Sequence, residues 1–167
     1  MDCYCGSDKS FEQCCELIIS GRKPAETPEQ LMRSRYSAYA TENAKYIYNT
    51  YAKESLKTQS LKDIEQWAQQ THWLKLTILH SDQVERIHFS FTQDKQQLPS
   101  VKFSALYIHE KKFCLITENS RFIVEDEQWL YLDGDITEHD ELAMPKRNAP
   151  CLCQSNKKFK HCCAMKL

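Results

Sequence analysis

The chain has 167 residues, of which 41% are hydrophobic and 27% are charged, and its formal net charge is −1. This composition is typical of a globular protein with one ordinary domain and small appendages, and it points to no class of partner. No apolar stretch approaches the ~20 residues of a membrane span, so we expect no membrane contact. We expect a cytoplasmic location, because no signal peptide is evident and the cysteine usage is typical of a reducing compartment.

Helix signals dominate the first part of the chain. Thr27 is a good N-cap, Pro28 suits the first helical position, and apolar residues then recur at helical spacing. Ser60 can cap a later helix, whose buried stripe would be Leu61, Ile64, Trp67 and Ala68. The predicted helices cover residues 14–21, 28 to about 40, 44–52 and 61–70.

After Thr71 the hydrophobic period changes from helical to alternating, which predicts strands. Leu74, Leu76 and Ile78 are expected on one face of the first strand, and Gly134 is expected to end the last. The predicted strands cover residues 73–79, 85–92, 101–107, 113–125 and 129–132. The fold class is therefore α+β, with helices packed on one face of an antiparallel sheet.

The predicted division of the chain is a first module (1–21), a middle domain (22–135), a linker (136–150) and a second module (151–167).

One sequence pattern occurs at both ends of the chain. Residues 3–15 and 151–163, related by a shift of 148 (151 minus 3), share the pattern C-x-C-x-S-x-K-x-F-x-x-C-C. They contain eight of the nine cysteines. The ninth, Cys114, lies in an apolar run and is expected to be a core thiol.

A metal ion explains these cysteines best. Ordering thirteen residues costs about 20 kcal/mol, and so short a segment has no core to offset that cost. A structural zinc returns ~10–16 kcal/mol, and four thiolates give it a closed tetrahedral site. Adjacent cysteines can share a metal only at a bend or a helix start, and Phe11 and Phe159 can shield it from water. Disulfides are disfavoured in a reducing compartment. An iron–sulfur cluster, or a single site mixing Cys3 and Cys5 with Cys162 and Cys163, remains an alternative.

The repeated pattern resembles the SEC-C motif, a small zinc-binding element found in many otherwise unrelated proteins. The resemblance implies two zinc ions per chain. It implies two ligand sets: Cys3, Cys5, Cys14 and Cys15 in one module, and Cys151, Cys153, Cys162 and Cys163 in the other.

The middle of the chain resembles the YchJ family. The matching segments are Leu31–Tyr39, Trp73-Leu74, Ser120-Arg121-Phe122 and Trp129–Gly134. Members of this family carry SEC-C motifs beside an NTF2-like domain, so the resemblance implies a cone of helices on a curved antiparallel sheet.

Cones of this kind often enclose a pocket, and eight residues are candidates to line it. They are Arg33, Arg35, Tyr36, Tyr39, Trp73, Glu118, Arg121 and Trp129. The two arginines of the first long helix can bind a small anion, or they can pair with Glu118 or another acid of the sheet. No phosphate loop, nucleophile elbow or HExxH pattern is present, so no catalytic residue is assigned and a non-catalytic role is favoured.

The carboxyl end of the chain is basic. No acidic residue follows Glu141, whereas Lys157, Lys158 and Lys160 lie inside the second module. These lysines can offset the charge of the tetrathiolate, which is the simplest explanation, or they can meet an acidic protein or RNA phosphate. The resulting hypothesis is a zinc-binding adaptor that docks on a protein or ribonucleoprotein partner. The alternative is a small-molecule binder or enzyme acting in the cone, with zinc purely structural.

Overall fold

The computed structural model describes all residues from 1 to 167. The helices are α1 (Cys15–Ile19), α2 (Pro28–Ala40), α3 (Ala44–Asn49), α4 (Lys53–Leu56) and α5 (Leu61–Gln70). The strands are β1 (Thr71–Ser81), β2 (Ser100–His109), β3 (Lys112–Glu125) and β4 (Gln128–Leu142). None of the helices has the length and apolar character needed to cross a bilayer.

The predicted helix starts are confirmed. The Thr27 hydroxyl accepts a hydrogen bond from Gln30 N at 3.3 Å, which caps α2, and Ser60 accepts one from Asp63 N at 3.3 Å, which caps α5. The helix predicted from residue 44 to 52 is shorter, and the separate turn α4 follows it. On α5, Ile64 and Ala68 are buried as expected, but Leu61 is 43% exposed because it lies in the first turn.

The four strands form one antiparallel sheet in the order β1-β2-β3-β4. Two-residue turns join the last three strands, at Glu110-Lys111 and Asp126-Glu127, and all four of these residues have positive φ. Such turns match the right-handed twist of the strands they connect. Helix α2 packs on one face of the sheet, called the inner face, and the main core lies between them. The fold is α+β, as predicted.

The strand predicted over residues 85–92 is wrong. This segment belongs to the loop between β1 and β2 and contains only a short 3₁₀ turn at Arg86–His88. The base of the loop is closed by Asp82, whose backbone N–H donates to Ser100 O at 3.0 Å, so β1 pairs directly with β2. No strand edge is left for residues 85–92 in that position, and Ile87 and Phe91 are 71% and 69% exposed.

Two further strand predictions need correction. A β-bulge between Trp73 and Lys75 sends Leu74 to the outer face, while Leu76 stays in the inner core. Gly134 does not end β4, because β4 continues to Leu142 by pairing with the first half of β3. Residues 136–142, the first part of the predicted linker (136–150), therefore belong to β4. Their polar side chains are exposed on an edge strand whose backbone pairs with β3 on one side, apart from a bulge at Thr137.

Candidate metal centres and central cavity

The four cysteines of the first module form a compact tetrad. Their sulfur atoms all lie within 4.8 Å of one another, with Cys5 Sγ 3.8 Å from Cys14 Sγ and Cys14 Sγ 3.9 Å from Cys15 Sγ. Cys3, Cys5 and Cys15 are buried. We call this group the amino-terminal tetrad.

The second module repeats this arrangement. Its sulfur atoms also lie within 4.8 Å, with Cys153 Sγ 3.4 Å from Cys162 Sγ and Cys162 Sγ 3.9 Å from Cys163 Sγ. We call this group the carboxy-terminal tetrad. Each tetrad is complete within its own module, so no ligand set needs to mix cysteines from the two ends.

The same backbone hydrogen bonds build both tetrads. Cys3 N donates to Lys9 O at 3.0 Å, and the equivalent Cys151 N donates to Lys157 O at 2.9 Å. The adjacent cysteines converge as expected at a helix start. Cys14 and Cys162 follow a 3₁₀ turn with nearly the same backbone angles (φ −126°, ψ −108° and φ −140°, ψ −114°), and a helical turn begins at the next residue.

Each tetrad has a serine beside its third cysteine. Ser7 Oγ lies 3.2 Å from Cys14 Sγ, and Ser155 Oγ lies 3.1 Å from Cys162 Sγ. The pKa values of two thiols in the amino-terminal tetrad are shifted in opposite directions. A hydrogen bond from Cys15 lowers the pKa of Cys5, while this same bond and burial raise the pKa of Cys15. The lowered pKa of Cys5 favours its thiolate form, which is the form that binds a metal ion.

The residues present fit a tetrahedral metal ion. Four sulfurs at about 2.3 Å from a central zinc would be separated by about 3.8 Å, whereas the sulfurs of a disulfide are about 2.05 Å apart. The four separations given above, 3.4 to 3.9 Å, are close to the first value, no pair within a tetrad exceeds 4.8 Å, and all nine cysteines are free. Zinc bound here would fix the fold of each module without an open position for substrate.

The amino-terminal tetrad is part of the main core. Cys3, Cys5 and Cys15 pack in the same buried cluster as Leu31 and other residues of α2 and the inner face. Arg33, a predicted pocket residue, instead ties this module to α2. It donates from Nη1 to Cys5 O at 2.9 Å and from Nε to Glu29 at 2.8 Å.

The carboxy-terminal tetrad packs on the outer face of the sheet. Cys151 and Cys163 share a smaller cluster with Leu106, Ile108 and Phe113. Phe159 is buried there, with its ring 5.8 Å from that of Phe113 in an edge-to-face arrangement. This aromatic shield agrees with the expectation for Phe159.

The two modules lie close together, on opposite sides of the edge strand β1. The first module approaches it at Gly6, where an added Cβ would lie 3.8 Å from Leu76 O. The second approaches it at Gln154, whose side chain accepts a hydrogen bond from Lys75. Tyr4 and Lys166 line one shared groove of about 120 Å³.

A cavity of about 160 Å³ lies between α2, α5 and the inner face, and we call it the central cavity. Five predicted pocket residues line it: Arg35, Tyr36, Tyr39, Trp73 and Glu118. The sequence analysis predicted none of the remaining lining residues: Met32, Tyr51, Trp67, Phe103, Tyr107, Ile116, Ser120 and Tyr131. The alternation of β2 and β4 is the signal that could have identified Phe103, Tyr107 and Tyr131, since alternate residues of a strand share a face.

Three predicted pocket residues lie elsewhere. Besides Arg33, these are Arg121 and Trp129. Arg121 donates to Asp133 at 2.5 Å and to Asp135, two carboxylates on the neighbouring strand, and its side chain is 15% exposed. Trp129 donates from Nε1 to Glu26 O at 3.0 Å and packs edge-to-face against Phe89.

Comparisons with known proteins agree with this architecture. A family model described as the YchJ middle NTF2-like domain matches residues 27–134, and a model of the SEC-C motif matches residues 147–164. A UPF0225 protein of Vibrio cholerae serotype O1 is 35% identical over 163 residues, which cover 98% of this chain and 99% of the relative. A UPF0225 protein of Shewanella sp. strain MR-7 is 37% identical over 96% of this chain and 94% of the relative.

Two solved structures are also similar. A SEC-C motif containing protein from Rhodopseudomonas palustris superposes with a TM-score of 0.68 at 27% identity, covering 83% of this chain and 100% of that one. A second, from Psychrobacter arcticus, shares the fold with a TM-score of 0.60 at 24% identity, covering 97% of this chain and 89% of that one. The chain therefore belongs to the YchJ-like UPF0225 family, with an NTF2-like middle domain and a SEC-C motif.

Proposed function

We propose that this protein is a zinc-binding adaptor whose two modules present rigid docking surfaces to a protein or ribonucleoprotein partner in a reducing compartment such as the cytoplasm. The observation that carries the proposal is the duplicated Cys₄ tetrad, which is complete in each module and closed to substrate. A closed tetrathiolate has a structural role, so the role of each module lies in the surface that the metal orders.

The surface of the second module favours an acidic partner. Lys157, Lys158 and Lys166 are exposed, and none of them has an acidic side chain within 4 Å. Met165 is exposed beside them. An apolar side chain among unpaired lysines is a suitable contact for an acidic protein surface or for nucleic-acid phosphate.

The metal content of the purified full chain is the first test. Native mass spectrometry is expected to find two zinc ions per chain, falling to one in the double variant Cys151→Ser/Cys153→Ser. The variant Cys114→Ser is the matched control, because Cys114 lies outside both tetrads, and it should keep two. Metal-free protein with nine titratable thiols, or an iron–sulfur absorption spectrum, would contradict the proposal.

The docking role needs a separate test. Affinity capture from the native host should recover a partner with the full chain and with Cys114→Ser, and lose it with Cys151→Ser/Cys153→Ser. Nuclease treatment and a salt titration then distinguish a protein from a ribonucleoprotein, since phosphate contacts weaken steeply with salt. Recovery of the same partner by all variants would exclude the second module as the docking surface.

A second function is favoured by one observation, the central cavity. The cavity is lined by aromatic side chains together with a buried arginine and a carboxylate, and pockets of this kind bind small molecules. This function is compatible with the first, because neither tetrad lines the cavity.

A further inference from the structure

Arg35 has hydrogen-bonding capacity that the fold does not use. Its side chain is buried, and its guanidinium carbon lies 4.4 Å from the ring centre of Tyr51 and 4.7 Å from that of Tyr131. Nη1 donates to Ile47 O at 2.9 Å and to Thr50 Oγ1 at 2.7 Å. A guanidinium has five N–H donors, so two used leave three, on Nε and Nη2, with no acceptor in the protein.

Glu118 has complementary capacity. Its Oε1 accepts hydrogen bonds from Ser120 Oγ at 2.7 Å and from the Tyr131 hydroxyl at 2.8 Å, whereas Oε2 accepts none. Both residues line the central cavity. Tyr131 connects them, because its ring packs under the Arg35 guanidinium and its hydroxyl bonds to Glu118. Both charged groups therefore contact the same tyrosine.

The remaining walls favour a flat apolar body. Trp73 and Tyr107 have ring centres 5.1 Å apart, and Tyr36 packs edge-on to Trp73 at 5.6 Å. The volume of about 160 Å³ is close to that of the ~150 Å³ engineered cavity known to bind benzene. One planar ring fits such a space.

The charges of the cavity walls indicate whether the bound ring is anionic, cationic or neutral. Arg35 and Glu118 contribute one positive and one negative charge. An anionic ligand would pair with Arg35 but be repelled by Glu118. A cationic ligand would pair with Glu118 but be repelled by Arg35. A neutral ring with an acceptor next to a donor satisfies both groups.

We propose that the central cavity binds a small neutral heteroaromatic ring with a lactam or imide edge, of the kind a pyrimidine base presents. The ring carbonyl accepts from the free N–H groups of Arg35, the adjacent ring N–H donates to Glu118 Oε2, and the ring stacks on the aromatic walls. This proposal rests on the cavity being a binding site, the second function proposed above.

Three one-ring probes distinguish the alternatives on the full, metal-loaded chain. Uracil offers both hydrogen bonds, benzoate only an anionic acceptor, and benzamidine only a cationic donor. Titrations followed by the indole N–H resonance of Trp73 should give uracil an affinity at least about tenfold higher than either charged probe, since those leave a buried charge unmatched.

Substitution of Glu118 tests whether its carboxylate contacts the ligand. Glu118→Gln should weaken uracil by about tenfold or more and strengthen benzoate, because the repelling charge is gone. Glu138→Gln is the matched control. Glu138 also accepts a hydroxyl hydrogen bond, from Thr117 at 2.9 Å, but it does not line the cavity, so it should change neither affinity.

Two outcomes would overturn the proposal in different ways. Tighter binding of benzoate or benzamidine than of uracil would refute the ligand class and keep the cavity as a binding site. An unchanged Trp73 resonance with all three probes at millimolar concentration would refute both. The comparison among probes needs only the wild-type chain, so it stands even where Glu118→Gln does not fold.

Discussion

Gly134 is the residue at which a single methyl group should have the largest effect on the cavity. It lies opposite Ser120 in the β3–β4 pair, and the carboxylate of Glu118 crosses directly over it. A Cβ at this position would lie 2.7 Å from Glu118 Cδ and closer still to Oε1. Glycine is needed here to leave room for this side chain, and not because the chain turns.

We therefore expect Gly134→Ala to destabilise the protein by about 1–3 kcal/mol, since Glu118 must shift and give up its hydrogen bonds from Ser120 and Tyr131. Urea unfolding measures this change in the free energy of unfolding. In the Glu118→Ala background the clash is absent, so the same substitution should cost much less. Equal costs in the two backgrounds would show that the glycine serves another purpose.

Gly6 and Gln154 show the same backbone requirement met by different residues. They occupy equivalent positions in the two modules, with φ of +75° and +58°. Because left-handed backbone costs a non-glycine residue about 1–2 kcal/mol, the second module already bears a strain that the first avoids.

This difference gives a paired prediction. Gly6→Ala should lower the free energy of unfolding by about 1 kcal/mol, whereas Gln154→Ala should change it little. Urea unfolding of both variants in the metal-loaded state checks this. A larger cost for Gln154→Ala would mean that its contact with Lys75, not its backbone, is what matters there.

At the scale of elements, α2 connects the two sites. Its residues contact the amino-terminal tetrad through Arg33 and the central cavity through Arg35 and Tyr36. Its first turn depends on Thr27, whose hydroxyl satisfies Gln30 N.

Thr27→Ala is expected to cost about 1 kcal/mol of stability, because the capping bond is lost from the helix that carries both sites. The shift of the urea midpoint measures it. Thr58→Ala is the control, since Thr58 is exposed and is the N-cap of no helix, and it should stay within about 0.5 kcal/mol. Equal effects would contradict the role of the cap.

The β3–β4 pair is fastened by Arg121 and Asp133. Burial acts to raise the pKa of Asp133, but hydrogen bonds and charge from Arg121 and Lys95 outweigh it and lower the pKa below its usual value. A carboxyl group with a lowered folded pKa stabilises the fold above its unfolded pKa, near 3.9. This contribution is lost as the pH falls through the folded value.

Asp133→Asn should therefore cost about 1 kcal/mol at pH 7, given that the pair is partly exposed. The difference from wild type should shrink as the pH falls below about 4. Unfolding by urea at pH 7, 5 and 3 tests this. Asp135→Asn should show a smaller effect at pH 7, because that carboxylate is more exposed. A stability difference between Asp133→Asn and wild type that is the same at all three pH values would rule out the ion pair as its cause.

At the scale of the whole molecule, the two modules pack against different parts of the middle domain. The amino-terminal tetrad shares the main core with α2, whereas the carboxy-terminal tetrad packs on the outer face through a separate cluster. Loss of the proposed zinc from the first should therefore loosen the middle domain, and loss of the proposed zinc from the second should not.

Cys3→Ser/Cys5→Ser is expected to lower the main thermal transition by roughly 10 °C, because it would remove the proposed structural metal and with it several kcal/mol of stability. Cys151→Ser/Cys153→Ser should leave that transition nearly unchanged and abolish amide protection only in residues 150–167. Near-UV circular dichroism and hydrogen exchange follow the two events. Equal shifts for both double variants would mean that the modules stabilise the fold alike.

The sequence by itself determined the features that depend on local chemistry. The spacing of the cysteines predicted two complete tetrads, Thr27 and Ser60 predicted the starts of α2 and α5, and alternation predicted most of the sheet. These signals act over a few residues, through caps, turns and side-chain period, so they can be read without knowing the fold.

Only the tertiary structure decided what depends on partners distant in sequence. Neighbouring elements determine three such features. They produce the bulge that turns Leu74 outward and the pairing that extends β4 past Gly134. They also place Arg35 in the cavity wall and Arg33 and Arg121 elsewhere. A strand edge, an ion pair or a cavity wall needs two segments that meet in space. The sequence of one segment does not show which of its residues will contact the other segment.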